Sequence, residues 1–208
     1  MKKNTFSFLI GWAAFFVGIS VASILYLNPF PEISQNEIPP VNSEFPKTLV
    51  EDSSEIYSAV LKIERFRPDL LIISDQSVEE TSGFTEKLDQ RVAFLKKETV
   101  RDFIDQNKTS DDLTRFFPNK KEVHLLSRKE AILIFKKSPQ GWGEFLKIYP
   151  KAGGIISFSR IGFNPDRTQA LVYVAKRCGP LCGDGAMIFL LKKDGEWVVK
   201  KDLGIWVS

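Results

Sequence analysis

One stretch limits every reading of this chain: no charged residue occurs from Asn4 to Pro31, and Phe6 to Leu27 is almost wholly apolar. A helix rising about 1.5 Å per residue would carry that run about 33 Å, enough to cross a hydrocarbon core of about 30 Å. Nothing in it alternates into a polar face, so it does not read as a core helix of a soluble domain. Lys2 and Lys3 precede the run and Glu32 follows it, which points the N-terminus to the cytoplasm. The expected division is a cytoplasmic N-terminus (1–5), a transmembrane signal-anchor (6–27), a linker (28–50) and an extracytoplasmic domain (51–208). Val21-Ala22-Ser23 offers an alternative, cleavage near Ser23 and secretion. Ile24, Leu25, Tyr26 and Leu27 continue the apolar run past that point, which favours an uncleaved anchor. Both options export the domain. The expected place is the cell (inner or cytoplasmic) membrane, crossed once, with the C-terminal domain periplasmic or extracellular.

The linker holds Pro29, Pro31, Pro39, Pro40 and Pro46 among Ser, Asn and Glu. Proline removes donors and favours extended chain, so this stretch reads as a semi-rigid stalk. Charge then narrows the partners. Lys and Arg number 29 and Asp and Glu 26; setting aside Lys2 and Lys3 leaves 27 against 26. No basic excess marks a nucleic-acid binder, and no nucleic-acid partner is expected. The membrane, through residues 6–27, is the expected partner, with a protein partner or a second copy of the chain beside it.

Local signals predict helices first. Asp52-Ser53-Ser54-Glu55 has capping-box spacing, and Ile56, Ala59, Val60 and Ile63 recur on one face before Pro68. Leu70–Ser74 is a short β-rich run. A longer helix is expected from about Thr85 to Gln106, striped by Leu88, Val92, Leu95, Thr99 and Phe103. Val123–Leu126 reads as a strand, and Ser127-Arg128-Lys129-Glu130 as a second capping box opening a helix to Phe135. Pro139, Gly141 and Gly143 break that helix, and Glu144 to Tyr149 make one more turn.

Four strand-like runs fill the C-terminal third: Ile155–Phe163, Thr168–Arg177, Ala186–Lys193 and Trp197–Val207. Asp194-Gly195 between apolar strands is a strong two-residue hairpin signal. Short connections imply antiparallel neighbours. The expected fold is therefore α+β: N-terminal helices packed on a C-terminal four-stranded antiparallel meander, preceded by one transmembrane helix. A loose likeness to cystatin- or NTF2-like sheets, helix first and hairpins after, is fold analogy alone. Ala170, Val172 and Val174 point one way, and Leu171, Tyr173 and Ala175 the other. Both faces of the sheet therefore need cover.

Chemistry-bearing residues are few. Cys178 and Cys182 are the only cysteines and flank a strand connection, so in an oxidising compartment they are expected to pair. Their spacing is not the two-residue spacing of thioredoxin-type motifs, and with one distant histidine they fall short of a four-ligand zinc site. No metal and no cofactor are expected. His124, the sole histidine, could in principle activate Ser127, Ser157 or Ser159, but no Gly-x-Ser-x-Gly elbow is present and a single structural hydrogen bond is the commoner role. Arg160 lies in an otherwise apolar strand and needs either water or an anionic partner. No catalytic residue is assigned. Arg160, Trp206 and His124 are the candidate ligand-binding residues, with Arg160, Trp206 and the cysteine loop placed together. Asn107-Lys108-Thr109 also fits a glycosylation acceptor.

Ser159-Arg160-Ile161-Gly162-Phe163-Asn164 and Gln169-Ala170-Leu171-Val172-Tyr173-Val174, then Cys178-Gly179-Pro180-Leu181-Cys182-Gly183, the Lys-Lys-Asp-Gly-Glu-Trp stretch ending at Trp197, and terminal Trp206-Val207-Ser208 carry a resemblance. Over roughly the last 55 residues the chain resembles a family of exported bacterial proteins of unassigned function. The resemblance implies a bacterial exported domain and no particular activity. The function expected is thus a non-catalytic binding or assembly module of the cell envelope. The alternative is a small extracytoplasmic hydrolase or ligand-binding enzyme with a pocket over the sheet.

Overall fold

The computed structural model describes residues 47–208 apart from 67–68, 80–82, 84, 86–87, 119–121 and 137–140. The apolar run 6–27 and most of the stalk lie outside the described residues. Among those described, no helix is long and apolar enough to cross a membrane. Helix α1 (Lys47–Leu61) begins ahead of the expected boundary at 51. Asp52 is therefore not its cap. It sits inside the helix, buried, where its carboxylate accepts from Lys192 Nζ (2.7 Å) and Trp197 Nε1 (2.9 Å) and pairs with Arg167 Nη2 (2.8 Å). Two cations and an indole offer a buried carboxylate more than the amides of a first turn would.

The sheet corrects the four-stranded antiparallel meander. Among the described residues it has seven strands in the order β2-β1-β3-β5-β6-β7, with β4 paired to β5. Strand β1 (Leu70–Ser74) lies parallel to both β2 (Val123–Leu126) and β3 (Ala152–Phe158). From β3 onward the pairing is antiparallel, through β5 (Gln169–Gly179), β6 (Cys182–Lys193) and β7 (Glu196–Val207). The C-terminal hairpins are as expected, and Asp194 and Gly195 take the positive φ angles (52° and 88°) of their turn. The parallel half was missed because β1 and β2 carry no turn signal naming a partner; parallel neighbours are joined by long crossovers instead. The cystatin- and NTF2-like analogy, built on hairpins, does not cover that half.

The run expected as one strand from Ile155 to Phe163 is split into β3 and β4 (Gly162–Phe163). Between them Asn107 stands in for a strand partner: its Oδ1 accepts from Arg160 N (2.8 Å) and its Nδ2 donates to Arg160 O (3.1 Å). Asn107 is 1% exposed, which leaves no room for a glycan. Gly162 lies so close to the backbone of Phe103 that a Cβ would collide with it.

Both sheet faces are covered, as strand parity requires. Ala170, Val172 and Val174 pack with Ile56, Tyr57 and Val60 of α1. Leu171, Tyr173 and Ala175 pack with Leu88, Val92, Leu95 and Phe103. The long helix expected there is two, α2 (Leu88–Arg91) and α3 (Lys97–Gln106). Gln169 holds the break open: its Oε1 accepts from Lys96 N (2.9 Å) and its Nε2 donates to Phe94 O (2.8 Å), so a side-chain amide replaces helical hydrogen bonds. A third cluster closes the parallel end, with Ile72 and Leu126 beneath Ile134 of α4 (Arg128–Phe135) and Phe145 of α5 (Gly141–Ile148). Gly141 and Gly143 thus lie within α5 and not in a turn.

Candidate functional site

The expected ligand-binding residues occupy three separate places. His124 is on β2, one edge of the sheet, and Trp206 on β7, the other edge. Arg160 lies in the β3–β4 break, on a small cavity of about 180 Å³ that Tyr57 of α1 also lines. Its guanidinium has a protein partner: Nε is 3.6 Å from Asp111 Oδ2, which Arg115 Nη2 holds at 2.6 Å. Tyr57 beside them donates to Ser159 O (2.9 Å), and burial pushes its hydroxyl far above the usual tyrosine range. This site is an ion cluster at the edge of the cavity, with Arg160 already partnered.

His124 belongs to a cap. Ser127 Oγ accepts from Glu130 N (3.2 Å) while Glu130 Oε2 accepts from Ser127 N (3.0 Å) and from Ser127 Oγ (2.7 Å). Both halves of the expected capping box are present. These bonds, with His124 nearby, hold the Glu130 carboxyl below its ordinary value despite some desolvation. Nε2 of His124 is 2.9 Å from Tyr149 Oη and 3.5 Å from Glu130 Oε1. Ser127 therefore gives its proton to Glu130, and Ser159 gives its own to Arg160 O (2.8 Å) while accepting from Tyr173 N (2.8 Å). Neither hydroxyl faces the imidazole. Among the described residues no group of three His, Cys, Asp or Glu is placed to hold a metal.

Cys178 and Cys182 form a disulfide, Cα to Cα 5.0 Å, at the tip of the β5–β6 hairpin. Along that hairpin Trp206 lies flat on β6, where a Cβ at Gly185 would meet its ring. Its Nε1 donates to Tyr173 Oη (2.8 Å), whose ionisation burial disfavours. Arg177 stacks 5.9 Å from the Trp206 ring.

A large cleft begins at Arg177. It encloses about 880 Å³ over β1, β3 and β5, between the α4–α5 pair and the segment that follows β1. Ser74, Ile155 and Ser157 form its floor, Arg128, Phe135 and Trp142 one wall, and Gln76, Ser77, Glu79 and Ser110 the other. Two features of the chain make it. Parallel β1, β2 and β3 send their carboxyl ends and the loops after them to the same side, the usual place for a crevice in such sheets. The two helical layers on that face cover opposite ends and leave Ser74, Ile155 and Ser157 only partly covered between them. Most of the loop's polar side chains are spent on structure: Ser77 Oγ accepts from Asp111 N (2.9 Å), Ser110 Oγ donates to Ser77 O (2.8 Å), and Glu79 Oε1 accepts from Ser110 N (3.3 Å). The cleft thus presents two guanidinium groups, the engaged Glu79 carboxylate, the Ser157 hydroxyl and an aromatic wall to an occupant.

Of the three expected binding residues, only Trp206 adjoins this cleft, through Arg177. The cleft's own residues were passed over in the sequence. Arg177 had a readable signal, a cation on the parity of Leu171, Tyr173 and Ala175 at the end of an apolar strand. Trp142 was concealed by its flanking glycines. No family model, curated protein or solved structure matches the chain.

Proposed function

We propose that this chain is a membrane-anchored, extracytoplasmic binding module of the bacterial cell envelope, and that the cleft over β1, β3 and β5 takes an anionic ligand with a flat apolar body. The anchor is the uncharged run 6–27, N-terminus inward; secretion after cleavage near Ser23 is the variant of the same address. A short disulfide loop suits an oxidising compartment, and the C-terminal resemblance supports export. One observation carries the binding reading. The large cleft is lined by Arg128, Arg177, Phe135 and Trp142, while of the serines His124 could have served Ser127 and Ser159 are engaged elsewhere and Ser157 lies on β3, separated from β2 by β1. Concave sites that set placed polar groups beside an aromatic wall bind small molecules. A hydrolase reading needs a hydroxyl beside a base, and Ser127, Ser159 and His124 do not supply one.

The test is equilibrium dialysis of naphthalene-2-carboxylate and of its neutral carboxamide against the full chain in lipid nanodiscs, with empty discs subtracted. The carboxylate is expected to bind more tightly, to lose about tenfold in affinity in Arg177→Ala, as one charge-assisted hydrogen bond is worth, and to be excluded by Ser157→Leu. Equal binding of both probes in the two variants and the parent would sink the assignment.

A further inference from the structure

Resting on the membrane-anchored reading proposed above, we infer that the α4–α5 hairpin is a docking surface for the anionic headgroups of that membrane. The hairpin buries Ile134 and Phe145 against the sheet and packs Phe135 on Trp142, ring centroids 5.1 Å apart. That satisfies its inward face. Ile132, Leu133, Leu146 and Ile148 nevertheless remain 48%, 53%, 45% and 48% exposed. Half of the large exposed apolar side chains among the described residues thus fall on two short helices. Concentration of this kind marks a contact surface, whereas single exposed residues do not.

Charge identifies the contact. Residues 128–151 carry six basic and two acidic side chains; subtracting these from the chain's 29 and 26 leaves 23 basic and 24 acidic elsewhere. The whole positive excess of the protein therefore falls in the stretch of sequence that forms α4 and α5 and flanks them. Both acidic residues there are occupied, Glu130 by Ser127 and Glu144 by Lys147 (3.5 Å). Lys129, Lys136, Lys147 and Lys151 are exposed. Protein interfaces are depleted in lysine at their centre, whereas lysine beside leucine and isoleucine suits a headgroup boundary, where the stem lies on apolar surface and the ammonium meets phosphate. Reach is sufficient. A stretch of the length of 28–46 reaches at most about 60 Å when extended at about 3.1 Å per residue, and anything shorter is open to it.

The experiment uses the full chain carrying Leu133→Cys, labelled with an environment-sensitive nitrobenzoxadiazole; the native cysteines are paired and do not react. The chain is placed in bilayers of phosphatidylcholine alone or with phosphatidylglycerol. Blue-shifted emission and loss of quenching by aqueous iodide are expected only with phosphatidylglycerol, reversed by high salt and by Lys129→Glu with Lys136→Glu. A label at Val198→Cys on β7 is expected to stay aqueous throughout. The inference is overturned if the label at 133 stays aqueous, if both labels shift alike, or if the shift follows protein concentration in phosphatidylcholine, which would mean self-association. Vesicle flotation reports the anchor separately, so loss of the anchor and loss of hairpin docking are told apart.

Discussion

At the scale of single residues, Asp52 and Ser127 show what a local motif can and cannot say. Both stand at capping-box spacing, and only Ser127 caps a helix. The difference lies in partners that arrive from far along the chain: Lys192 and Trp197 are separated from Asp52 by 140 and 145 positions. Burial alone would raise the Asp52 carboxyl. The hydrogen bonds from Lys192 and Trp197 and the charges of Arg167 and Lys192 outweigh it and hold the group below the usual carboxylate range. The ionised form is then favoured in the folded state. The stability it contributes is whole above the unfolded carboxylate value of about 3.9 and is lost as pH falls through the lower folded value. Asp52→Asn strands two half-buried cations and is expected to cost about 2–3 kcal/mol at neutral pH. Urea unfolding against pH should then show a shallower acid limb than the parent; an unchanged limb would mean that the cluster contributes nothing.

At the scale of elements, legibility followed the distance over which each element is decided. The β6–β7 hairpin was readable because Asp194-Gly195 sets it within two residues. The alternating parity of β5 likewise announced a sheet covered on both sides, and α1, α2 and α3 supply that cover. The break between α2 and α3 was not readable, because the Gln169 amide that makes it lies 73 positions from Lys96. The disulfide was readable from spacing and compartment. It closes a short loop at a hairpin tip whose Leu181 is 87% exposed, so its effect is local. Cys178→Ser is expected to lower stability by about 2 kcal/mol, read as a fall in melting temperature. Naphthalene-2-carboxylate binding should persist, since Arg177 is held in the β5–β6 ladder opposite Gly183 and the rest of the cleft lies away from this loop. Loss of binding with an unchanged melting temperature would assign the cysteines a chemical role instead.

At the scale of the molecule, the order β2-β1-β3-β5-β6-β7 places the most thoroughly buried strands, β5 and β6, inside the sheet and the four-residue β2 at one edge. Ala170–Val174 and Ala186–Leu190 are buried at every position. Their amides are expected to exchange with solvent only on global unfolding, while β2 and the exposed α4–α5 hairpin open locally and exchange first. Hydrogen-exchange mass spectrometry reads this directly; equal protection of β2 and β5 would contradict it. The sheet order itself was invisible in the sequence, because pairing β1 to β3 is a choice among distant apolar runs that no adjacent residue records. The same non-local wiring governs how the protein is made. Tyr57 in the first helix bonds to Ser159, 102 positions later, and Asp52 waits for Trp197 in the final strand. A nascent chain emerging from a ribosome or a translocation pore therefore carries an uncovered apolar helix through most of its synthesis, exposed to proteases and in need of a chaperone. The last strand works as a latch, and truncating it would strip Trp197 from Asp52 and uncover the edge of α1 that β5 and β6 do not reach.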